Sequence, residues 1–226
     1  MLPIDLSLKA TKNLHHLYGN AAFTKYRIGV VSPGHCATIL TLNVLLGLID
    51  KDRGAEHSSS HFPTESLVSF THDLNIDDHT EKIKALGFTP LFIVPLRYGD
   101  EPTEERWVKK GCEKYRAYSN VTVLDYNKLN KTEENSIENI VDYVHKSLTD
   151  MIFCVSNEDA GALWYQQSNK TNAVERIKKM NERYDEIKDK PFSFVDKYYH
   201  LHGGHRNRAL NKKTKTTFEG YKFPLK

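Results

Sequence analysis

The stretch YRIGVVSPGHCATILTLNVLLGLID, from Tyr26 to Asp50, runs an apolar strand into a Pro-Gly turn and then directly into an apolar helix. A helix N-terminus presents N–H groups that lack intrahelical partners, together with the positive end of the helix dipole. An anion such as a phosphate is therefore the ligand that suits this junction best. The alternative is an ordinary strand-to-helix connection, in which Thr38 only starts the helix.

Composition limits the class of protein. The chain has 226 residues, 39% of them hydrophobic and 27% charged, which suits a single domain over 1–226 with one buried core. A formal charge of +3 gives no strong field, so we expect no nucleic acid as partner. Three cysteines are too few for a disulfide framework, and no apolar run reaches membrane-spanning length. We expect a cytoplasmic protein with no signal peptide and no membrane partner.

Strands alternate with helices along the chain, which is the pattern of a parallel sheet covered by helices. Short apolar runs predict four strands, at Arg27–Val31, Leu67–Thr71, Pro90–Pro95 and Val121–Leu124. Helices are predicted over Thr38–Ile49, 76–87, 135–148 and Asn172–Lys190, and a further short helix from Pro191. We expect Thr38–Ile49 to be buried and Asn172–Lys190 to form a solvated outer face. The predicted fold is α/β, a three-layer α/β/α arrangement with a central, mostly parallel sheet.

The turn after the first strand differs from a Walker P-loop. Residues 29–36 have two glycines at the Walker spacing, but His35 and Cys36 stand where Lys and Ser/Thr belong. The pattern Pro-x-x-small-small-Thr before an apolar helix, here Pro33 to Thr38, instead resembles the phosphosulfate loop of the sulfotransferase family. In that family the loop holds the 5′ end of the donor, 3′-phosphoadenosine 5′-phosphosulfate (PAPS).

Three further strand ends resemble the same family, in the same order. Thr71-His72 resembles the strand end whose histidine is the general base, Arg97 takes the place of an Arg that grips the donor's 3′-phosphate, and Asp125–Leu129 resembles a Tyr-Glu-Asp-Leu strand end. The resemblance is clearest over 26–148, and 149–226 is predicted as a helical and basic C-terminal part. It implies a P-loop NTPase-like sulfotransferase architecture.

The resemblance also implies an activity and roles for named residues. A sulfuryl group would pass from PAPS to a hydroxyl or amine of a small-molecule or carbohydrate acceptor. His72 would take the acceptor's proton, because imidazole exchanges protons near neutral pH. The residues implied to bind the donor are Pro33, Gly34, His35, Cys36, Ala37, Thr38, Arg97 and Thr103. Apart from the resemblance, Arg206 is a further predicted binding residue, because it lies in a basic glycine turn that would touch the donor or an acidic acceptor.

The chain departs from the family at three places. Gly34 stands where a Lys or Arg is usual, Phe70 where a Lys is usual, and Glu105 where a Ser is usual, so Thr103 is taken as that Ser's substitute. His35 is the nearest group that could replace the loop cation, which makes it a second predicted catalytic residue. These losses leave open a catalytically degenerate nucleotide-binding or assembly module.

Other interpretations remain open for the individual assignments. His72 could be an ordinary surface residue, and Arg97 could pair with Asp100 or Glu101 in a solvated turn. Tyr198–Arg208 could be a solvated tail, and its three histidines lack an accompanying carboxylate or cysteine, so we predict no metal. A P-loop kinase is disfavoured because the chain lacks Gly-Lys-Ser/Thr and an evident magnesium-binding Asp pair.

Overall fold

The computed structural model describes residues 25–33, 37–49, 56–57, 67–96, 101–126, 137–156, 158–191 and 193–202. Within these residues one parallel sheet contains β1 (Tyr26–Val31), β2 (Glu56–His57), β3 (Val68–Thr71), β4 (Thr89–Leu96) and β5 (Val121–Asp125). Their order across the sheet is β2-β3-β1-β4-β5, so β1 is central. The four predicted strands and their parallel pairing are confirmed. The two-residue β2 is an addition.

Helices flank this sheet. They are α1 (Thr38–Leu48), α2 (Ile76–Ala85), α3 (Glu101–Lys109), α4 (Ile137–Val155), α5 (Glu158–Gln167) and α6 (Lys170–Ile187), with a 3₁₀ helix at Cys112–Ala117. The predictions for α1, α2, α4 and α6 are confirmed, whereas α3, α5 and the 3₁₀ helix were not predicted. Pro102, the second residue of α3, is a sequence signal for that helix start. No helix in the part of the chain that the structure describes is long and apolar enough to cross a membrane.

Each face of the sheet has its own apolar core, as β4 illustrates. Leu91 and Ile93 lie in a core with α1, α4 and α6, and Phe92 and Val94 lie in a second core with α2, α3 and the 3₁₀ helix. Successive side chains of a strand point to opposite faces, so a strand buried along its length needs helices on both sides. The arrangement is compatible with a three-layer α/β/α fold.

Helix α1 is buried on almost all sides, as predicted. It contacts the sheet through β1 and β3, and it contacts α6 on its outer side. The two helices approach so closely that a Cβ atom on Gly47 would lie 2.4 Å from the Cα of Ala173. The solvated outer face predicted for α6 is confirmed, since Glu175, Lys178 and Lys179 are exposed. Its inner face, with Ala173, Ile177 and Met180, lies in the same core as α1.

The prediction of a short helix from Pro191 is wrong. The chain forms instead a hairpin of two antiparallel strands, β6 (Val195–Asp196) and β7 (Leu201–His202). The Asp196 carboxylate accepts hydrogen bonds from the backbone N–H groups of Tyr198 and Tyr199, and it pairs with Arg183 of α6 at 2.7 Å. Local bonds of this kind stabilise a turn in competition with a helix.

Buried hydrogen bonds of Asn43 and Arg176 join the hairpin to the core helices. Arg176 of α6 donates from Nε to Asn43 Oδ1 of α1 at 2.9 Å and from Nη2 to the Tyr198 carbonyl at 2.7 Å. Asn43 Nδ2 donates in turn to the carbonyl of Tyr199 at 2.9 Å. Asn43 and Arg176 are both buried, so these bonds compensate for the lost hydration of their polar groups. The hairpin is thereby fixed against α1.

His145 links α4 to α5 and to the connection that follows α5, and it should make the stability depend on pH. It lies buried on α4, bonds through Nε2 to Ser168 Oγ at 2.6 Å, and stacks on Trp164 of α5. Burial lowers the pKa of His145, and the charge of Lys170 acts in the same direction while that of Asp142 opposes it. The unfolded chain therefore takes up this proton at a higher pH than the folded chain.

We expect the free energy of unfolding to fall as the pH drops below about 6.5, the ordinary histidine value, and through the lowered folded pKa of His145. Urea titrations at several pH values across this window would measure the loss. His145→Gln, which cannot gain a proton there, should remove this residue's share. A pH dependence identical in the variant and the natural chain would assign the effect to other groups.

Candidate functional site

The candidate site lies at the carboxyl end of β1. In the sheet order, the chain leaves β1 toward β2 on one side, whereas β4 leads onward to β5 on the other side. Neighbouring strands that connect in opposite directions create a crevice at their carboxyl ends, and ligands of open α/β sheets bind there. Helix α1 begins at this edge, at Thr38.

Ser32 connects the elements that meet at this edge. Its backbone N–H donates to the Thr71 carbonyl at 3.0 Å, which joins the ends of β1 and β3. Its hydroxyl oxygen accepts a hydrogen bond from Thr38 Oγ1 at 2.7 Å, which ties the strand end to the first residue of α1. Its carbonyl oxygen bonds to Nδ1 of His72 at 2.9 Å. Ser32 is fully buried, and the sequence analysis missed it.

His72 is held in one tautomer by this bond. A carbonyl oxygen can only accept, so the bond to Ser32 requires the hydrogen on Nδ1. In the neutral imidazole the other nitrogen, Nε2, then carries a lone pair and can accept a proton. The His72 side chain is exposed at the end of β3, so Nε2 is chemically suited to act as a base at the edge of the sheet.

The described part of the predicted anion loop has the geometry of a helix start. Pro33 is buried, and Ala37 adopts the left-handed conformation with φ 61°. Among the described residues no side chain caps α1, and its first turn contains no acidic residue. Helix N–H groups that lack intrahelical partners are suited to bind an anion. The Thr38 hydroxyl gives its hydrogen to Ser32, so it does not donate to a ligand in this arrangement.

Tyr126, which follows β5, supports this first turn. The Thr41 hydroxyl donates to the Ala37 carbonyl at 3.0 Å, and the Tyr126 hydroxyl lies 2.7 Å from the same Thr41 oxygen. Thr41 and Tyr126 are buried. The structure describes two residues of the predicted strand end Asp125–Leu129. One of them, Tyr126, stabilises the first turn of α1.

Other predicted site residues cannot be placed in this geometry. Five lie outside the described residues: Gly34, His35, Cys36, Arg97 and Arg206. Thr103 lies on α3, where only the backbone is described at its position. The geometry of the site therefore rests on Pro33, Ala37, Thr38 and His72.

Two residues that the sequence analysis did not assign to the site lie beside it. His200, at the hairpin turn, adopts a left-handed φ of 58°, and its ring contacts Phe70 with centroids 5.7 Å apart. The Phe70 ring also contacts His72, at 6.5 Å. On the other side, Arg106 of α3 donates from Nη1 to the Pro33 carbonyl at 2.8 Å. Within the described ranges, no group of three or more His, Cys, Asp or Glu is arranged to hold a metal ion.

In comparisons with protein families, curated proteins and solved structures, none matches the chain. The functional assignment therefore depends on the residues at the carboxyl end of β1 and on their chemistry.

Proposed function

We propose that the protein is a PAPS-dependent sulfotransferase with a P-loop NTPase-like architecture, and that it sulfates a hydroxyl or amine acceptor. The observation that carries the proposal is the 2.9 Å bond between His72 Nδ1 and the Ser32 carbonyl. This bond holds a proton-accepting nitrogen beside a helix start that suits an anion. The central place of β1, followed directly by a buried helix, further supports the proposal.

The residues at the helix start fit an anionic donor. The N–H groups of Thr38 and the next residues point out of the N-terminus of α1, and the helix dipole adds a partial positive charge. Ala37 holds its left-handed conformation at a cost of about 1–2 kcal/mol for an L-residue, and such conformations cluster at ligand sites. The described residues of this turn therefore favour a phosphosulfate or phosphate group.

His72 would supply the base. The donor provides a sulfuryl group whose bond to the bridging oxygen breaks as the acceptor oxygen or nitrogen bonds to sulfur, leaving adenosine 3′,5′-bisphosphate. The proton of the acceptor passes to Nε2 of His72, which the Ser32 bond orients. Because in-line transfer of this kind needs little covalent participation from the protein, positioning and charge stabilisation account for catalysis.

Calorimetric titration with adenosine 3′,5′-bisphosphate tests the proposal. We expect saturable binding at one site without magnesium, because helix N–H groups and cationic side chains hold the anion. Absence of bisphosphate binding would contradict a PAPS-dependent enzyme. Magnesium-dependent binding of ATP would instead support a P-loop kinase, and bisphosphate binding without transfer from PAPS to any hydroxyl or amine would support a degenerate module.

A further inference from the structure

Two consecutive carbonyl groups at the end of β1 bind two functional side chains. The Ser32 carbonyl binds His72, and the next carbonyl, that of Pro33, binds the Arg106 guanidinium. His72 follows β3 and Arg106 lies on α3, which follows β4, and these two strands flank β1 on opposite sides. The two residues that follow β1, Ser32 and Pro33, are therefore contacted by an imidazole and a guanidinium that come from opposite neighbours of β1.

Helix α3 holds the guanidinium at a defined place. Trp107, the next residue, is fully buried in the core on that face of the sheet and anchors the helix. The carboxylate of Glu105, the preceding residue, pairs with Lys109 one turn further along α3. The Arg106 side chain itself is exposed, and one of its five N–H donors is used by Pro33.

We propose that Arg106 binds the 5′ anionic group of the donor and so provides the positive charge at this turn. A guanidinium whose Nη1 is held by a carbonyl can still present its Nε and second Nη as a fork, which matches the oxygens of a phosphate or sulfate group. Charge that develops on these oxygens during transfer is stabilised by a fixed cation more strongly than by N–H groups alone. The inference rests on the proposed function.

The structure assigns this role to Arg106 on position and chemistry together. Its contact with Pro33 brings the guanidinium to the residue that precedes Gly34, at the predicted anion loop. A merely structural role would use the same bond to fasten α3 to the loop. The two roles predict different affinities. If Arg106 contacts the 5′ anion directly, its loss weakens only the binding of ligands that carry this anion, whereas a structural role affects ligands with and without it alike.

The test compares two nucleotides by calorimetry. Arg106→Gln should weaken the binding of adenosine 3′,5′-bisphosphate by about ten- to hundredfold, the usual effect of losing a hydrogen bond to a charged group. Binding of adenosine 3′-monophosphate, which lacks the 5′ anion, should stay unchanged. The affinity of the bisphosphate should also depend less on salt in Arg106→Gln, because one ionic contact is lost. Arg106→Lys should retain part of the affinity, since it keeps the charge but loses the fork.

The matched control is Arg116→Gln, which removes an exposed Arg that pairs with Glu113 in the 3₁₀ helix, and it should leave both affinities unchanged. Thermal unfolding of each variant without ligand shows whether it folds. Equal losses for both nucleotides, or an unchanged bisphosphate affinity in a folded Arg106→Gln, would overturn the role of Arg106 while leaving the proposed function intact. Failure of the natural chain to bind the bisphosphate would overturn both.

Discussion

Replacing His72 by Ala should lower the rate of sulfuryl transfer by about 10²–10⁴-fold, the range for loss of a positioned general base. The bond between His72 Nδ1 and Ser32 leaves Nε2 as the group that takes the proton, and Ala has no replacement for it. The side chain is exposed, so its removal leaves the core intact. Steady-state transfer from PAPS to a panel of a phenol, a sugar and an amine would measure the loss.

Two measurements separate loss of the base from loss of the site. The affinity for adenosine 3′,5′-bisphosphate should be nearly the same in His72→Ala and the natural chain, since the proposed anion site is at the start of α1 and does not include His72. Added imidazole should restore part of the rate in the Ala variant, whereas His72→Gln leaves no space for it. Turnover that survives unchanged in both variants would remove His72 from the mechanism.

Gly47→Ala should lower the free energy of unfolding by about 1–3 kcal/mol or more, the range for overpacking a close contact. The new Cβ would lie 2.4 Å from Cα and 2.9 Å from N of Ala173. These are backbone atoms of α6, so two buried helices have to separate before the methyl group fits. Urea unfolding would measure the change, which opposes the gain of about 1 kcal/mol that Ala gives over Gly in a helix.

Gly161→Ala on α5 is the matched control. A Cβ there would also be crowded, at 2.5 Å from the Phe153 ring. That ring belongs to a side chain 41% exposed, which can swing into solvent. We expect its effect on stability to be small or favourable. Equal losses at the two positions would show that α1 and α6 are not locked at Gly47.

The sheet was predictable because its strands are short apolar runs between turn residues. β1, β3 and β4 are buried on both faces and β5 is partly buried, and such strands carry a strong sequence pattern. The strands β2, β6 and β7 have only two residues each, which is too short for an alternating or apolar pattern. They are recognised only by their pairing with a neighbouring strand. The short helix predicted from Pro191 failed since Asp196 bonds to the next backbone N–H groups, which a helical pattern does not reveal.

A site residue could be predicted from the sequence only where its place directly after a predicted strand was enough to locate it. His72 follows a predicted strand, so its place at the edge of the sheet could be inferred from order alone. Ser32 and Arg106 could not be found in that way. Their importance arises from bonds between residues 40 and 73 positions apart in the chain, and these distances are fixed by packing rather than by local pattern.

The hydrogen bond between Asn43 and the hairpin has a consequence for folding during synthesis on the ribosome. Asn43 and Tyr199 are separated by 156 positions, so the ribosome adds the second partner roughly 8 to 30 seconds after the first, at about 5–20 residues per second. For most of that interval the apolar α1 lacks α6 as its outer cover, because α6 begins only at Lys170. The nascent chain therefore exposes the apolar α1 until α6 and the hairpin have been synthesised.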